Sequence, residues 1–393
     1  MDAVLTSKQA EFLQAVANGD NIFLTGKAGT GKSYIVRRAI EIITELGGKV
    51  VAVAPTGIAA NNIDGQTIHS MFRLNPFGVQ SFEKTNFLNA GSKQLLRKVD
   101  TIVIDEVSML RPDILDGMHW TMKKNGMSGL DKKQMIFVGD LKQLPPILDD
   151  NERSVLYETY DGDAFTFAMI FAKLKVRVIE LDEVLRQSNQ EFIEALNMVR
   201  DGLKSPYFKQ FVATETKGIV IAPHKATVAM YNDHGLNQQS GDLFTFDAII
   251  TGTARPQDFN LEQEVKVKNG CKIMYLVNSK ENPLRNGTLG TFVSHNGCHF
   301  IRVNDTNFAL EQVTITKKQY VYNKGKDMLE LEELGSITQY PIKLAYALSI
   351  HKSQGLTFDE VTVDLRRACF QRGQMYVALS RVRTPEGLRI ITK

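Results

Sequence analysis

Three cysteines, Cys271, Cys298 and Cys369, are the only thiols in 393 residues. They are odd in number, far apart and include no C-x-x-C pair. That excludes a disulfide framework and a cysteine-built zinc site, and it fits a reducing compartment. The seven histidines are scattered without ligand spacing. No apolar run approaches the ~20 residues a bilayer span needs, so no membrane association is expected. The first residues, Met1-Asp2-Ala3-Val4-Leu5, lack a basic segment leading into an apolar core, and they are not Arg-rich. Neither a secretory nor a mitochondrial signal is apparent, and the expected location is cytoplasmic. Internal repeats and low-complexity tracts are also missing. So is an excess of one charge: 47 Lys and Arg against 44 Asp and Glu give +3. A dedicated electrostatic binder of polyanions would be far more basic. The balance is uneven, however. From Arg366 onward stand Arg366, Arg367, Arg372, Arg381, Arg383, Arg389 and Lys393 against one acid, Glu386. This is either a solvated basic face or a surface that meets phosphates.

What is present begins with Gly26-Lys27-Ala28-Gly29-Thr30-Gly31-Lys32-Ser33, a complete G-x-x-x-x-G-K-[ST] pattern. An apolar run, Ile22-Phe23-Leu24, precedes it, and Ile35, Val36, Ala39, Ile40 and Ile43 follow at helical spacing. Strand, glycine loop and helix together form a phosphate cradle. Consecutive backbone N–H groups curl around a polyphosphate, and the helix adds the positive end of its dipole. Lys32 can reach the outer phosphates and the Ser33 hydroxyl can ligate Mg²⁺. The chain is expected to bind a nucleoside triphosphate, with Gly26, Ala28, Gly29, Thr30, Gly31, Lys32 and Ser33 in contact.

Asp105-Glu106 follows the apolar run Thr101-Ile102-Val103-Ile104, at the C-terminal end of a predicted strand. Neighbouring carboxylates on an extended chain point apart. One can hold the Mg²⁺ shell, assigned to Asp105, while the other, Glu106, polarises an attacking water. Gly139-Asp140-Leu141-Lys142-Gln143 follows the next strand. Gln143 is either a contact to the γ-phosphate and water or a polar loop residue. Thr6-Ser7-Lys8-Gln9 is a capping box, which by itself explains Gln9. Arg186 and Arg381, far downstream, suit fingers on a transferring phosphoryl group, although a single Arg more often forms a surface ion pair.

Organisation follows from the alternation of apolar runs and helical stretches. Ile22–Leu24, Val50–Ala54, Thr101–Ile104, Met135–Val138 and Val176–Leu181 read as central strands of a parallel sheet buried on both faces. A polar insert between Phe72 and Lys98, containing Asn75-Pro76-Phe77-Gly78, breaks that rhythm. A second α/β region has 218–222 as its clearest strand. After Gly290 short alternating segments (Thr291–Ser294, Phe300–Val303 and Asn307–Leu310) are separated by Asn296-Gly297 and Asn304-Asp305. They read as a small β-barrel. The α/β pattern resumes at Ile342, and no second phosphate loop occurs.

The ordered set GKAGTGKS (26–33), APTGIAA (54–60), TIHSMF (67–72), DEVSML (105–110), GDLKQLPP (139–146), LDEVLRQ (181–187), IHKSQGLTFD (350–359) and YVALSRV (376–382) resembles the PIF-type superfamily-one helicases, relatives of the RecD and Dda helicases. Arg111-Pro112-Asp113-Ile114-Leu115-Asp116 resembles the extra motif of the PIF type. The resemblance covers essentially the whole chain. It implies two RecA-like parallel-sheet domains around one ATP. Domain 1A would be residues 1–178, with a wedge insert 1B at about 73–98. Domain 2A would be 179–289 and 342–393, and an SH3-like barrel 2B 290–341. It also implies that Gln9 contacts adenine, that Arg186 and Arg381 sense phosphate, and that Lys32, Asp105, Glu106 and Gln143 serve hydrolysis. Thr56, His69, Ser70, His351, Lys352, Ser353 and Gln354 would lie on a single-strand track, with Phe72 stacking on a base. The expected activity is ATP- and Mg²⁺-dependent 5′-to-3′ DNA unwinding by a monomer of bacterial or phage-like type, in replication, recombination or repair. Its partners would be single-stranded DNA and forked or tailed duplex, with quadruplex or RNA–DNA hybrid as further candidates. A translocase or RNA-directed motor with weak unwinding is the alternative.

Overall fold

The computed structural model describes residues 5–75, 78–183, 189–256, 259, 261–279 and 281–393, and of residues 58, 61 and 62 the backbone alone. The chain divides into two compact units. The first comprises residues up to 186 together with 318–333; the second comprises 187–317 and 334–393.

The first unit is built on a six-stranded parallel sheet. Its strands are β1 (Ile22–Gly26), β2 (Val50–Ala54), β3 (Gln66–Thr67), β4 (Thr101–Ile104), β5 (Gln134–Val138) and β6 (Arg177–Leu181). Their spatial order is β3-β2-β4-β5-β1-β6. Successive side chains enter cores on opposite faces, the pattern of a strand covered on both sides. Phe23, Ile102, Ile104, Met135 and Phe137 pack on one face. Ile22, Leu24, Val103, Ile136 and Val138 pack on the other. Helices α1 (Ser7–Ala17), α2 (Lys32–Glu45), α3 (Gly57–Asn62), α4 (Ile68–Phe72), α5 (Ala90–Lys98), α6 (Pro112–Lys124) and α7 (Asp150–Tyr157) complete the unit. Thr6 and Gln9 form the expected capping box at the start of α1.

Helix α6 holds the insert that follows α4. Pro112 sits in its first turn, where a missing N–H costs nothing, and Lys123 and Lys124 lie at the negative end of its dipole. The fully buried Asp113 carboxylate accepts the backbone N–H of Gln80 at 2.7 Å and a two-pronged bond from Arg111 at 2.9 and 2.7 Å. Arg111 also donates to the Gly78 carbonyl and to Glu152. At the other end of α6, Lys124 donates to the carbonyls of Glu83 and Thr85, and Asn125 accepts the Leu88 N–H. The insert therefore has little regular structure before α5 yet is tied down at both ends.

The second unit carries α8 (Gln190–Arg200), β7 (Ile219–Ala222), α9 (Lys225–Gln238), β8 (Phe244–Asp247), β9 (Ile249–Gly252), β10 (Glu264–Val267) and β11 (Lys272–Tyr275). They are followed by β12 (Leu289–His295), β13 (Cys298–Val303), β14 (Thr306–Ala309), β15 (Val313–Asn323), β16 (Met328–Gln339), β17 (Ile342–Leu344) and β18 (Ala347–Ser349). The chain ends through α10 (Ile350–Ser353), β19 (Val361–Asp364), α11 (Gln374–Leu379) and β20 (Leu388–Ile391). A parallel sheet β18-β7-β19-β20 forms its α/β part. A five-stranded antiparallel sheet, β14-β13-β12-β11-β17, encloses Ile273, Phe292, Ile301 and Ile342. It draws in β11, upstream of Gly290.

The tip of the β15–β16 hairpin, residues 318–333, belongs to the first unit. The Tyr320 N–H donates to Gln66 Oε1 at 3.1 Å, and its hydroxyl accepts the Ala52 N–H at 3.3 Å. Asp327 meets Lys49 and Lys98 at 3.5 and 3.3 Å. A hydrogen bond from the Tyr322 hydroxyl and one from Lys98 hold the Asp327 carboxyl down at about 2.

Asp116, also buried on α6, accepts from the Tyr160 hydroxyl and from the backbone N–H groups of Met169 and Ile170, each at 2.9 Å. Burial and the neighbouring carboxylate push the Tyr160 hydroxyl well above its ordinary value, so it stays a donor. Asp116→Ala strands three buried donors and is expected to cost about 3 kcal/mol or more. Urea unfolding of the variant beside the parent protein measures this, and an unchanged midpoint would refute it.

Candidate active site

Parallel strands present all their C-terminal ends at one sheet edge, where open α/β folds bind ligands. In the first unit this edge receives the loops after β1, β4 and β5. Strand β5 pairs with both β1 and β4, so the three loops are neighbours.

The loop after β1 is shaped by close approach. Gly26 lies at φ +150°, and a Cβ there would come within 2.6 Å of the Leu181 carbonyl oxygen on β6. Gly31 caps α2 in the left-handed region (φ +83°), where an L side chain would be strained. Thr30, itself buried, closes the loop by donating to the Lys27 carbonyl at 3.0 Å. Lys32 opens α2, and its ammonium donates to the carbonyls of Gly26 and Lys27 at 2.7 and 2.9 Å. The ammonium is thus held over the loop. Ser33 is the next residue, in the first turn of α2, and Ala28 is buried within the loop.

Asp105 and Glu106 follow β4. Asp105 Oδ1 accepts the Glu106 N–H at 2.8 Å, and Glu106 is turned into the left-handed region at φ +51°, ψ +44°. That conformation costs a residue with a Cβ about 1 kcal/mol or more. Burial pushes the Asp105 carboxyl above its ordinary value, against the opposing pull of its bond from Glu106 and of the Lys32 and Arg37 charges. After β5, the buried Asp140 accepts from the Lys142 N–H at 3.0 Å and lies 3.5 Å from the Gln143 amide. Gln143 is likewise buried. Among the described residues no cluster of three or more His, Cys, Asp or Glu could hold a metal. Mg²⁺ does not need one, because it is ordinarily held by one or two carboxylates plus substrate phosphates and water.

Gln9 is buried, and its Oε1 accepts the Thr6 N–H at 3.1 Å, which fixes the direction of its amide. Arg186 lies outside the described residues. Arg381 is an interior residue of the second unit. Its guanidinium donates to the carbonyls of Val377, Ser353 and Leu356 and to the Ser380 hydroxyl. It ties α11 to the end of α10.

The expected strand-track residues fall into two groups by unit. Thr56 caps α3, accepting the Ala59 N–H at 3.3 Å. The Ser70 hydroxyl accepts from Gln66 at 2.7 Å. Burial first, and then the Arg111 charge, lower the pKa of His69, which favours the neutral imidazole. In the second unit Lys352 is exposed and meets Glu262 at 3.2 Å, and Gln354 is half-buried. His351 has its Nε2 buried without a hydrogen-bond partner among the described residues, and burial lowers its pKa.

Two expectations are corrected. Phe72 is fully buried with Ile68 and Met71, because spacing of three and four residues puts all three on the apolar face of α4. Its ring has no face to offer a base. Ser353 is also fully buried, and its hydroxyl donates to the Ile350 carbonyl at 2.8 Å. It braces α10 and does not reach solvent. Among the described residues the insert exposes Phe82 and Phe87, 46% and 74% accessible, with Lys124 over both rings. Sequence reasoning passed over them, although two Phe in a polar stretch are a visible signal.

The raised Asp105 value has a direct consequence for stability. An acid whose folded pKa lies above its unfolded one binds protons better when folded. Its charged form therefore opposes folding, and the penalty is relieved as pH falls through the folded value. Asp105→Asn keeps the acceptor for the Glu106 N–H and removes the charge. Its Tm at neutral pH is expected at or above that of the parent protein by thermal melt; a drop of several degrees would show that the buried charge is not a burden on the fold.

Comparison with known proteins agrees with this geometry. The sequence profile of the PIF1-like helicase family matches residues 4–207. A Pif1 named as an ATP-dependent DNA helicase from Campylobacter jejuni is 27% identical, over 96% of this chain and 90% of its own length. The human PIF1 is 32% identical over 98% of this chain, which spans only 60% of that protein. Pif1 from Bacteroides sp in complex with ADP-AlF4 superposes with a TM-score of 0.88 at 32% identity, covering 99% of this chain and 92% of that one. The Bacteroides Pif1 bound to ssDNA gives 0.69 at 32% identity, with the same coverage. No helix among the described residues is long and apolar enough to cross a membrane. With a phosphate loop, an acidic pair and a family match over more than half its length, the chain belongs to the PIF1-like helicases.

Proposed function

We propose that this chain is an ATP-driven DNA helicase that moves 5′ to 3′ along single strands and opens duplex ahead of it. The observation that carries this reading is the single sheet edge of the first unit, where a complete phosphate loop faces Asp105 and Glu106. Relatives named as ATP-dependent DNA helicases support it, as do the structures of Bacteroides Pif1 in complex with ADP-AlF4 and bound to ssDNA.

In this mechanism the N–H groups of Gly26 to Ser33 cradle the polyphosphate. Lys32 exchanges the Gly26 and Lys27 carbonyls for the outer phosphate oxygens, and Gln9, its oxygen already committed to Thr6, offers its amide N–H₂ to adenine. Ser33 and Asp105 hold Mg²⁺, which when bound neutralises charge developing on the phosphate oxygens. Glu106 orients the attacking water and takes its proton, and Gln143 reports on the γ-phosphate. Arg186 and Arg381 act as phosphate sensors from downstream. The strut bonds of Arg381 mean that its loss also lowers stability.

Thr56, His69 and Ser70 in the first unit, and His351, Lys352 and Gln354 in the second, bind strand phosphates without reading sequence. Residues 73–98 form the wedge 1B on domain 1A (1–178). Braced by α6, they present Phe82 and Phe87 as an apolar face toward the duplex. Residues 179–289 with 342–393 serve as domain 2A and 290–341 as 2B. The protein acts as a monomer on forked or tailed DNA in replication, recombination or repair, with quadruplexes and RNA–DNA hybrids as further substrates.

ATP turnover with and without single-stranded DNA, then unwinding of 5′-tailed against 3′-tailed duplexes, tests the proposal. DNA is expected to stimulate turnover, and Lys32→Ala to reduce it about 100-fold or more. Absence of stimulation sinks the motor reading and preference for 3′ tails sinks the polarity. An RNA strand that stimulates better than DNA replaces the substrate.

A further inference from the structure

The second unit contains a cavity of about 490 Å³ between one face of α9, β10, β17, β18 and α10. Lys225, Lys266, Lys343 and Lys352 line it together with Glu262 and Glu264. Both acids already have lysine partners: Lys352 meets Glu262 at 3.2 Å and Lys266 meets Glu264 at 2.6 Å. Lys343 has none. It is only 6% exposed, and its ammonium is buried without a hydrogen-bond partner among the described residues.

This placement follows from strand alternation. Ile342, the neighbour of Lys343 on β17, packs into the core of the antiparallel sheet, so the Lys343 side chain lies on the opposite face of the strand, where it lines the cavity. A buried ammonium without an acceptor is costly. Burial, with repulsion from Lys352, brings Lys343 down to about 8, which still leaves it mostly charged at neutral pH. Glu262 pulls the other way without pairing with Lys343, and four lysines against two glutamates leave the cavity lining with a surplus of positive charge. A second feature has the same sign. Lys225 is the first residue of the fourteen-residue helix α9, and the His224 side chain does not cap that helix's free N–H groups. The remaining wall is largely aliphatic, and the volume lies in the range of small-ligand sites.

We infer that this cavity binds a phosphate ester, with Lys343 as its buried anchor and Lys225 beside it. The phosphate belongs either to a backbone linkage of a bound single strand or to a free nucleotide. The first source rests on the DNA-motor reading and the second does not. A phosphate oxygen supplies the acceptor that Lys343 lacks, and the aliphatic wall suits the attached sugar or base.

The test uses the full chain and three substitutions, Lys343→Met, Lys343→Gln and Lys343→Arg. Methionine matches the length of the stem and removes the buried charge, so K343M should melt at or above the parent Tm. Glutamine serves if methionine disturbs the fold. Binding of a labelled dT oligonucleotide is measured by anisotropy across a salt series. Binding of pyrophosphate is measured by calorimetry in a K32A background, which removes the main contact of the phosphate loop. A strand phosphate in the cavity predicts that K343M weakens oligonucleotide binding about tenfold. It also lowers the slope of log affinity against log salt by about 0.7, and K343R restores both. A free phosphate ester predicts unchanged oligonucleotide affinity and loss of pyrophosphate binding in K32A/K343M relative to K32A. Should the parent protein bind no oligonucleotide at all, the motor reading fails and the pyrophosphate arm alone decides. If neither affinity moves, the cavity is not a phosphate site.

Discussion

Strand β5 is the member on which the first unit depends. It is paired along both edges, to β1 and β4, and buried on both faces by Met135 and Phe137 on one side and Ile136 and Val138 on the other. Such a strand has no room for polar side chains along its length, so every polar group it carries is pushed to its ends. The backbone N–H of Gly139, where β5 ends, donates to the Leu24 carbonyl of β1 and locks the two C-termini level. The phosphate loop, the acidic pair and the Asp140–Gln143 turn therefore share one edge because the sheet leaves polar chemistry nowhere else to go.

Charge burial organises what the sheet does not. Asp113, Asp116 and Arg381 are each at most 2% exposed. Backbone groups supply most partners of Asp116 and Arg381, while Asp113 pairs with Arg111 and the Gln80 N–H. A buried ion satisfied by backbone fixes the path of a chain segment more tightly than an apolar contact does, because removing the partner strands the charge. For the insert after α4 this is decisive. Before α5 its buried apolar anchors among the described residues are Leu74, Val79 and Leu88, and Arg111, Asp113, Lys124 and Asn125 add the polar bonds that fix its path. A segment meant to bear mechanical load against nucleic acid needs such bracing from a neighbouring helix, and α6 supplies it from both ends.

The parts of the fold buried on both faces were the legible ones. Apolar runs read at 22–24, 50–54, 101–104 and 135–138 became β1, β2, β4 and β5 within a residue or two. The run at 176–181 became β6, but as an edge strand with Val178 exposed rather than the central strand its apolar run suggested. The two-residue strand β3 is too short to produce a pattern, and β11 joins the antiparallel sheet because of partners supplied by β12 and β17, which local sequence does not encode. Motif membership located the candidate site but gave no side-chain directions. Phe72 and Ser353 belong to the same motifs as His69 and Lys352, yet helical spacing turns both inward. The bracing role of Asp113 and Asp116 was equally hidden, since two acids three residues apart on a helix ordinarily face water.

Violations of local rules give the better guide to where this chain does something besides fold. Glu106 occupies a left-handed conformation that glycine would take without strain. Asp105 places a carboxyl in surroundings that favour its neutral form. Lys343 buries an ammonium between two aliphatic neighbours without an acceptor among the described residues. Each would be repaired cheaply by substitution if stability were the only requirement, whereas the inward-facing motif residues, Phe72 and Ser353, already satisfy their surroundings. Natural sequences concentrate such conflicts at functional sites. Two of these conflicts lie at the sheet edge that carries the phosphate loop. The third lies in the second unit, in a cavity that borders the 350–359 motif only through Lys352, and the same reasoning that singles out Asp105 and Glu106 singles out that cavity as well.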